Sequence, residues 1–235
     1  WVKNQNFIEQ IKILKSRTFK FWDDNDIKKR AIINDFIFKL WLLNDGVSFD
    51  EDIKSLINKE NKDLVEKIIQ ANKENWFKNE EFIDKIREVD VDIFQKFLID
   101  YCIFYKGSKF DKNIRWSMIN GDDKILKQII DSGYLNWFKN QEFIEQIKSL
   151  RIKGIGSISN KIIYTPKSHI VCSFILDLWK FNGGTEFDDS LKWLIKNAND
   201  EIVYEIIEEN KFSWFTNQLF IDYVRNIEKD SVYKF

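Results

Sequence analysis

The stretch "NWFKNQEFIEQI", residues 136–147, decides how this chain is read. It returns as "NWFKNEEFIDKI" at residues 75–86 and as "SWFTNQLFIDYV" at residues 213–224, and the chain opens on "WVKNQNFIEQI". A phrase written four times at this spacing marks a repeat architecture, because each unit is one supersecondary element that needs neighbours to bury its apolar faces.

Working outward from the phrase, Phe36, Phe97 and Phe174 bring three blocks into register without a gap, at offsets of 61 and then 77 residues. The longer second offset is taken up around "GIGSISNKIIYTPKSH", so residues 152–168 read as an insertion, either a loop or a short hairpin. The units are 1–35 (partial), 36–96, 97–173 with that insertion, and 174–235, in a single helical-repeat array. A start at Trp1 rather than Met suggests a piece of a longer chain, and the two ends, built on the same helix type without a polar cap, suggest further repeats.

Helix punctuation recurs inside each block. Gly46, Gly107 and Gly184 follow an apolar helical run, where a left-handed residue ends a helix and glycine takes that conformation without a Cβ penalty. Asp50, Asp111 and Asp188 follow Phe49, Phe110 and Phe187 and are placed to cap the next helix, whose positive end suits a carboxylate. A turn ending in Asn61, Asp122 or Asn199 leads into a helix with a wide apolar stripe, such as Ile125, Leu126, Ile129 and Ile130. That helix stops at Asn72, Gly133 or Asn210, residue types at ease in the left-handed region.

The phrase then reads as a junction. Trp76, Trp137 and Trp214 with Phe77, Phe138 and Phe215 pack a corner, and Asn79, Asn140 and Asn217 restart a helix. Phe82, Phe143 and Phe220 lead the apolar face of that helix. The expectation is all-α: an α-solenoid of stacked antiparallel helix pairs, four helices to a full unit and about thirteen in all.

Residues 120–133, "NGDDKILKQIIDSG", resemble the helix–turn–helix portion of an ankyrin repeat, and "NANDEIVYEIIEEN" and "KENKDLVEKIIQAN" share the spacing. The resemblance covers three stretches of about 25 residues. It is a divergent one: the Thr-Pro-Leu-His opening is missing, the Trp-Phe corner stands where a Gly-Ala-Asp hairpin would, and the period is near two ankyrin lengths. The resemblance implies an interaction scaffold with a protein partner.

Composition narrows the function classes. Lys plus Arg is 37 against 38 for Asp plus Glu, a net charge of −1, without the basic excess of a dedicated nucleic-acid binder. No apolar run reaches the length of a membrane span. Two cysteines, Cys102 and Cys172, make no disulfide framework, which points to an intracellular and specifically cytoplasmic setting.

Chemistry-bearing sets do not converge. His169 is the single histidine, three residues from Cys172, and a helix start with a small apolar filler accounts for both. "GIGSIS", residues 154–159, lacks the Gly-Lys-Ser/Thr ending of a phosphate loop. The carboxylates at helix starts are explained by capping, so neither a metal site, a cofactor nor an enzyme is expected.

The candidate partner-binding residues lie on the helix after each capping Asp. Lys54, Arg115 and Lys192 recur at one position and would form a basic row, with Trp116 and Trp193 beside it. Glu51, Lys112 and Asp189 occupy one position that changes between units, where specificity would reside. Protein recognition is the leading expectation. The alternatives are a nucleic-acid-binding helical repeat using the basic row and base-stacking Trp, and a structural subunit of a large assembly.

Overall fold

The structure, a computed structural model, describes residues 4–16, 24–150, 153–155, 162–164 and 166–228. Among these the fold is all-helical apart from one short hairpin, with sixteen helices. The chain divides into two compact units, Trp1–Phe97 and Leu98–Phe235, each described by itself.

The first unit contains α1 (Gln5–Ser16), α2 (Asp24–Leu43), α3 (Glu51–Leu56), α4 (Lys62–Ala71), α5 (Lys73–Trp76), α6 (Glu80–Val89) and the start of α7 (Val91–Tyr105). The second continues through α8 (Lys112–Asn120), α9 (Asp123–Ser132), α10 (Tyr134–Trp137) and α11 (Gln141–Ser149). Then come α12 (Pro166–Phe181), α13 (Asp189–Asn197), α14 (Asp200–Glu209), α15 (Lys211–Trp214) and α16 (Gln218–Glu228). A block therefore holds five helices and not four. The added ones, α5, α10 and α15, are single turns that carry the repeated Trp itself.

Strands β1 (Lys153–Ile155) and β2 (Ile162–Tyr164) pair antiparallel, Gly154 opposite Ile163, within the expected insertion. The insertion ends earlier than 168, because α12 already starts at Pro166, where proline suits the first helical turn. Most of "GIGSIS" lies outside the described residues.

Three layers of the repeated phrase are visible in the side chains. Asn79, Asn140 and Asn217 each accept a hydrogen bond from the backbone N–H three residues on, at 3.0, 3.0 and 3.1 Å, and Asn4 does the same for Phe7 at 3.1 Å. The indole N–H of Trp76, Trp137 and Trp214 donates to the carbonyl of Ile68, Ile129 and Ile206, at 2.8, 2.8 and 2.9 Å. Each of these rings stacks on the Phe six residues later, with centroids 4.3, 4.2 and 4.6 Å apart. The Trp side chains are buried and keep no unsatisfied N–H, so the corner meets both requirements of an interior tryptophan.

Consecutive blocks join through the same Phe positions. Phe7 meets Phe36 at 5.6 Å and Phe82 meets Phe97 at 5.9 Å in the first unit, and Phe143 meets Phe174 at 5.5 Å in the second. Burying Phe82 or Phe143 in this way contributes about 2–3 kcal/mol each.

The helix ends follow the sequence in part. Gly46, Gly107 and Gly184 have φ of +65°, +71° and +61°, and their N–H groups close the preceding helix on the carbonyls of Trp41, Cys102 and Trp179. Asp50, Asp111 and Asp188 cap α3, α8 and α13. Asp122 and Asn199 cap α9 and α14, but the Asn61 side chain caps nothing. Its oxygen instead accepts from Asn34 at 3.2 Å, and its amide donates to the Leu56 carbonyl at 3.1 Å.

Asn72, Gly133 and Asn210 do not enter the left-handed region. Their φ angles are −151°, −142° and −129°, and the chain passes directly into α5, α10 and α15. The residue types have a different reason. Asn72 donates to the Gly46 carbonyl at 2.9 Å, and Asn210 donates to that of Gly184. Gly133 has no side chain because Gly107 occupies the space it would need.

Candidate partner-binding surface

The candidate positions lie on α3 in the first unit and on α8 and α13 in the second. Each opens with a capping Asp preceded by a half-buried Phe, and each carries its basic residue one turn later. That spacing returns the cation over the Phe ring: Lys54 Nζ lies 5.4 Å from the Phe49 centroid, Arg115 Cζ 4.5 Å from Phe110, and Lys192 Nζ 5.6 Å from Phe187. A cation held this way gains on the order of 0.5–1 kcal/mol at an exposed site.

Carboxylates complete the clamp. Lys54 pairs with Glu81 at 2.7 Å and Glu51 at 3.1 Å, and Arg115 pairs with Glu142 at 2.5 Å. The hydrogen bond to Glu81, then that to Glu51, raises the Lys54 ammonium above its ordinary range. Glu81 and Glu142 belong to the repeated phrase. In the third copy Leu219 stands at that position, and Lys192 pairs with Asp189 at 3.0 Å instead.

The structure thus brings Lys54, Arg115 and Lys192 to equivalent places and gives each an aromatic ring and a carboxylate. Each cation of the expected basic row is paired with a carboxylate of its own unit. The signal was present in the sequence as Phe-Asp-x-x-x-Lys/Arg, three times, but only the folded turn shows that the cation closes over the Phe. The indole-to-carbonyl bond of the corner carried no sequence signal beyond the Trp itself.

Trp116 and Trp193 are half-buried on α8 and α13. Glu51, Lys112 and Asp189 occupy the first helical turn and are exposed, with 91% and 93% of the Glu51 and Asp189 side chains in solvent. This position carries negative, positive and negative charge in turn.

The described residues of the second unit enclose a cleft and a smaller cavity. A cleft of about 520 Å³ opens beside the Arg115 clamp, between Gly107, Ser108, Phe110, Asn136, Asn140 and Glu142. A smaller cavity of about 220 Å³ lies between α9 and α12, lined by Tyr134, His169, Asp131 and Asp177 among others. Burial, followed by the hydrogen bond to Asp177, pushes the Tyr134 hydroxyl well above the usual phenol range. His169 is exposed and Cys172 is buried, so their three-residue spacing does not make a shared reactive face.

Among the described residues no group of three or more His, Cys, Asp or Glu side chains is placed to hold a metal ion. Among them also, no helix is long and apolar enough to cross a membrane. No protein-family model matches the chain, and comparison with curated proteins and with solved structures returns no match.

Proposed function

We propose that this chain is a non-catalytic protein-interaction scaffold, built as an ankyrin-like α-solenoid of stacked antiparallel helix pairs. One observation carries the reading. The same caps, the same Trp corner and the same cation–Phe clamp recur in three blocks, while the exposed first-turn residue changes from Glu51 to Lys112 to Asp189. A constant framework with a variable exposed position is what recognition of an irregular partner surface requires.

Trp116 and Trp193 supply amphipathic anchors beside that position, the residue type most enriched at binding hot spots. The nucleic-acid alternative loses its main support, because the cations it would use are matched by Glu81, Glu142, Glu51 and Asp189.

The test is capture from the source lysate by tagged protein at low and at high salt, comparing the wild type with the triple variant Glu51→Lys/Lys112→Glu/Asp189→Lys. A protein retained at both salts by the wild type and lost from the folded variant supports the reading. Nucleic acid released by salt, recovery of bait particles alone, or a partner indifferent to all three charges contradicts it.

A further inference from the structure

The groove between α9 and α12 has a counterpart in the first unit, between α4 and the start of α7, and the two are finished differently. In the first unit Lys96 crosses the groove to Glu66, at 3.3 Å. Aligning Phe97 on Phe174 puts Ser173 at the position of Lys96, and aligning Phe36 on Phe97 puts Lys127 at the position of Glu66. The serine is too short to cross, and Lys127 turns along its own helix to Asp131 at 3.0 Å. A second cation is exchanged nearby: Tyr134 stands where the other blocks have Lys73 and Lys211. The cavity of about 220 Å³ lies where these two lysines are missing.

The lining keeps an acid that has no cation of its own. Ile130 and Phe174 are buried, and Tyr134, Ser173 and Asp177 are half-buried around the opening. The Tyr134 hydroxyl donates to the Asp177 carboxylate, and its ring is held against Phe138 with centroids 4.6 Å apart. Lys127 is matched by Asp131, so among the described residues Asp177 has no cationic partner. A half-buried carboxylate with lone pairs to spare therefore sits beside an aromatic ring fixed in place. Carboxylate and ring together select a cation, and a planar guanidinium meets both, bonding the carboxylate in bidentate fashion and stacking on the ring. Size narrows the occupant further, since pockets for drug-sized ligands run about 300–1,000 Å³ and this one matches a single side chain.

We propose that the cavity between α9 and α12 receives an arginine side chain of the protein partner, its guanidinium bonded to Asp177 and laid against Tyr134. The proposal rests on the interaction-scaffold reading and gives the partner a chemistry: it brings a cation to the groove that the first unit closes with its own Lys96.

The test is an NMR titration of the isotope-labelled chain with N-acetyl-arginine amide, and with N-acetyl-citrulline amide, which keeps the shape and loses the charge. Saturable backbone shifts centred on Tyr134, Ser173 and Asp177 are expected, with the citrulline probe about tenfold weaker. Asp177→Asn is expected to weaken the arginine probe about tenfold as well. The double variant Lys127→Glu/Ser173→Lys rebuilds the Glu66–Lys96 pair across the cavity and is expected to abolish binding in a folded chain. No saturable shifts, equal binding of the two probes, shifts centred elsewhere, or arginine binding unchanged in either variant overturns the proposal. The probe needs no partner, so a cavity that takes no guanidinium and a chain that captures no protein are separate failures.

Discussion

A Cβ placed on Gly133 would lie 2.3 Å from the Cα of Gly107, so the two glycine backbones touch where the helix ends of the second block meet. The first and third blocks solve the same meeting with a side chain, Asn72 or Asn210 donating to the Gly46 or Gly184 carbonyl. Replacing Gly133 by Ala forces backbone against backbone and is expected to cost about 1–3 kcal/mol or more. Asn72→Ala loses a hydrogen bond and is expected to cost about 1 kcal/mol. Urea denaturation of the two variants checks the order, and an Ala at 133 as stable as wild type would contradict the close approach.

The corner tryptophans separate packing from hydrogen bonding. Trp137→Ala removes a fully buried ring and is expected to cost about 3–5 kcal/mol. Trp137→Phe keeps most of the stacking on Phe143 but leaves the Ile129 carbonyl without its indole donor, and is expected to cost about 1–3 kcal/mol. Equal losses for the two variants, measured by thermal or chemical unfolding, would mean that the bond and not the ring holds the corner.

Much of this framework was legible before any coordinates. The capping Asp and Asn residues, the positive-φ glycines and the Phe-led helix faces follow from local rules, because each is set by residues within about five positions of itself. What was not legible depends on contacts more distant in sequence. Asn72 and Gly133 read as left-handed stops, since the sequence does not show that Gly46 and Gly107 lie against them. Lys54 and Arg115 read as a basic row, since Glu81 and Glu142 meet them only after a corner and a new helix start.

Asp90 links the start of α7 to α4. Its carboxylate accepts from the N–H of Asp92 at 2.9 Å and of Ile93 at 3.1 Å, and it pairs with Lys62. Lys62, then the Ile93 N–H, holds the Asp90 carboxyl below its ordinary 3.8, and Asp90 raises the Lys62 ammonium above its ordinary 10.5. The depressed acid contributes stability that is complete above 3.8 and is lost as pH falls through the lower folded value. The raised base contributes stability that is complete below 10.5 and is lost as pH rises through the higher folded value. The stability difference between wild type and Lys62→Gln is therefore expected to be flat between these limits and to shrink on both sides. A difference that stays constant down to pH 2 would contradict the pair.

Cys102 stands where the other blocks have Trp41 and Trp179, and it is buried. Burial, then the Asp111 carboxylate, pushes its thiol up to about 12. Little thiolate exists at pH 8, so alkylation of the native protein at Cys102 is expected only through unfolding. Labelling followed by mass spectrometry should show no modification at Cys102 in native buffer and full modification in denaturant. Rapid native labelling would contradict its burial.

One phrase builds one buried corner three times, at Trp76, Trp137 and Trp214. Hydrogen exchange of the indole N–H of Trp76, Trp137 and Trp214 measures it, with the three signals assigned from single Trp→Phe variants. The corner predicts that all three are protected, each bonded to the carbonyl eight residues earlier. Exchange at the solvent rate from any of the three would show that the phrase does not fold into the same corner each time.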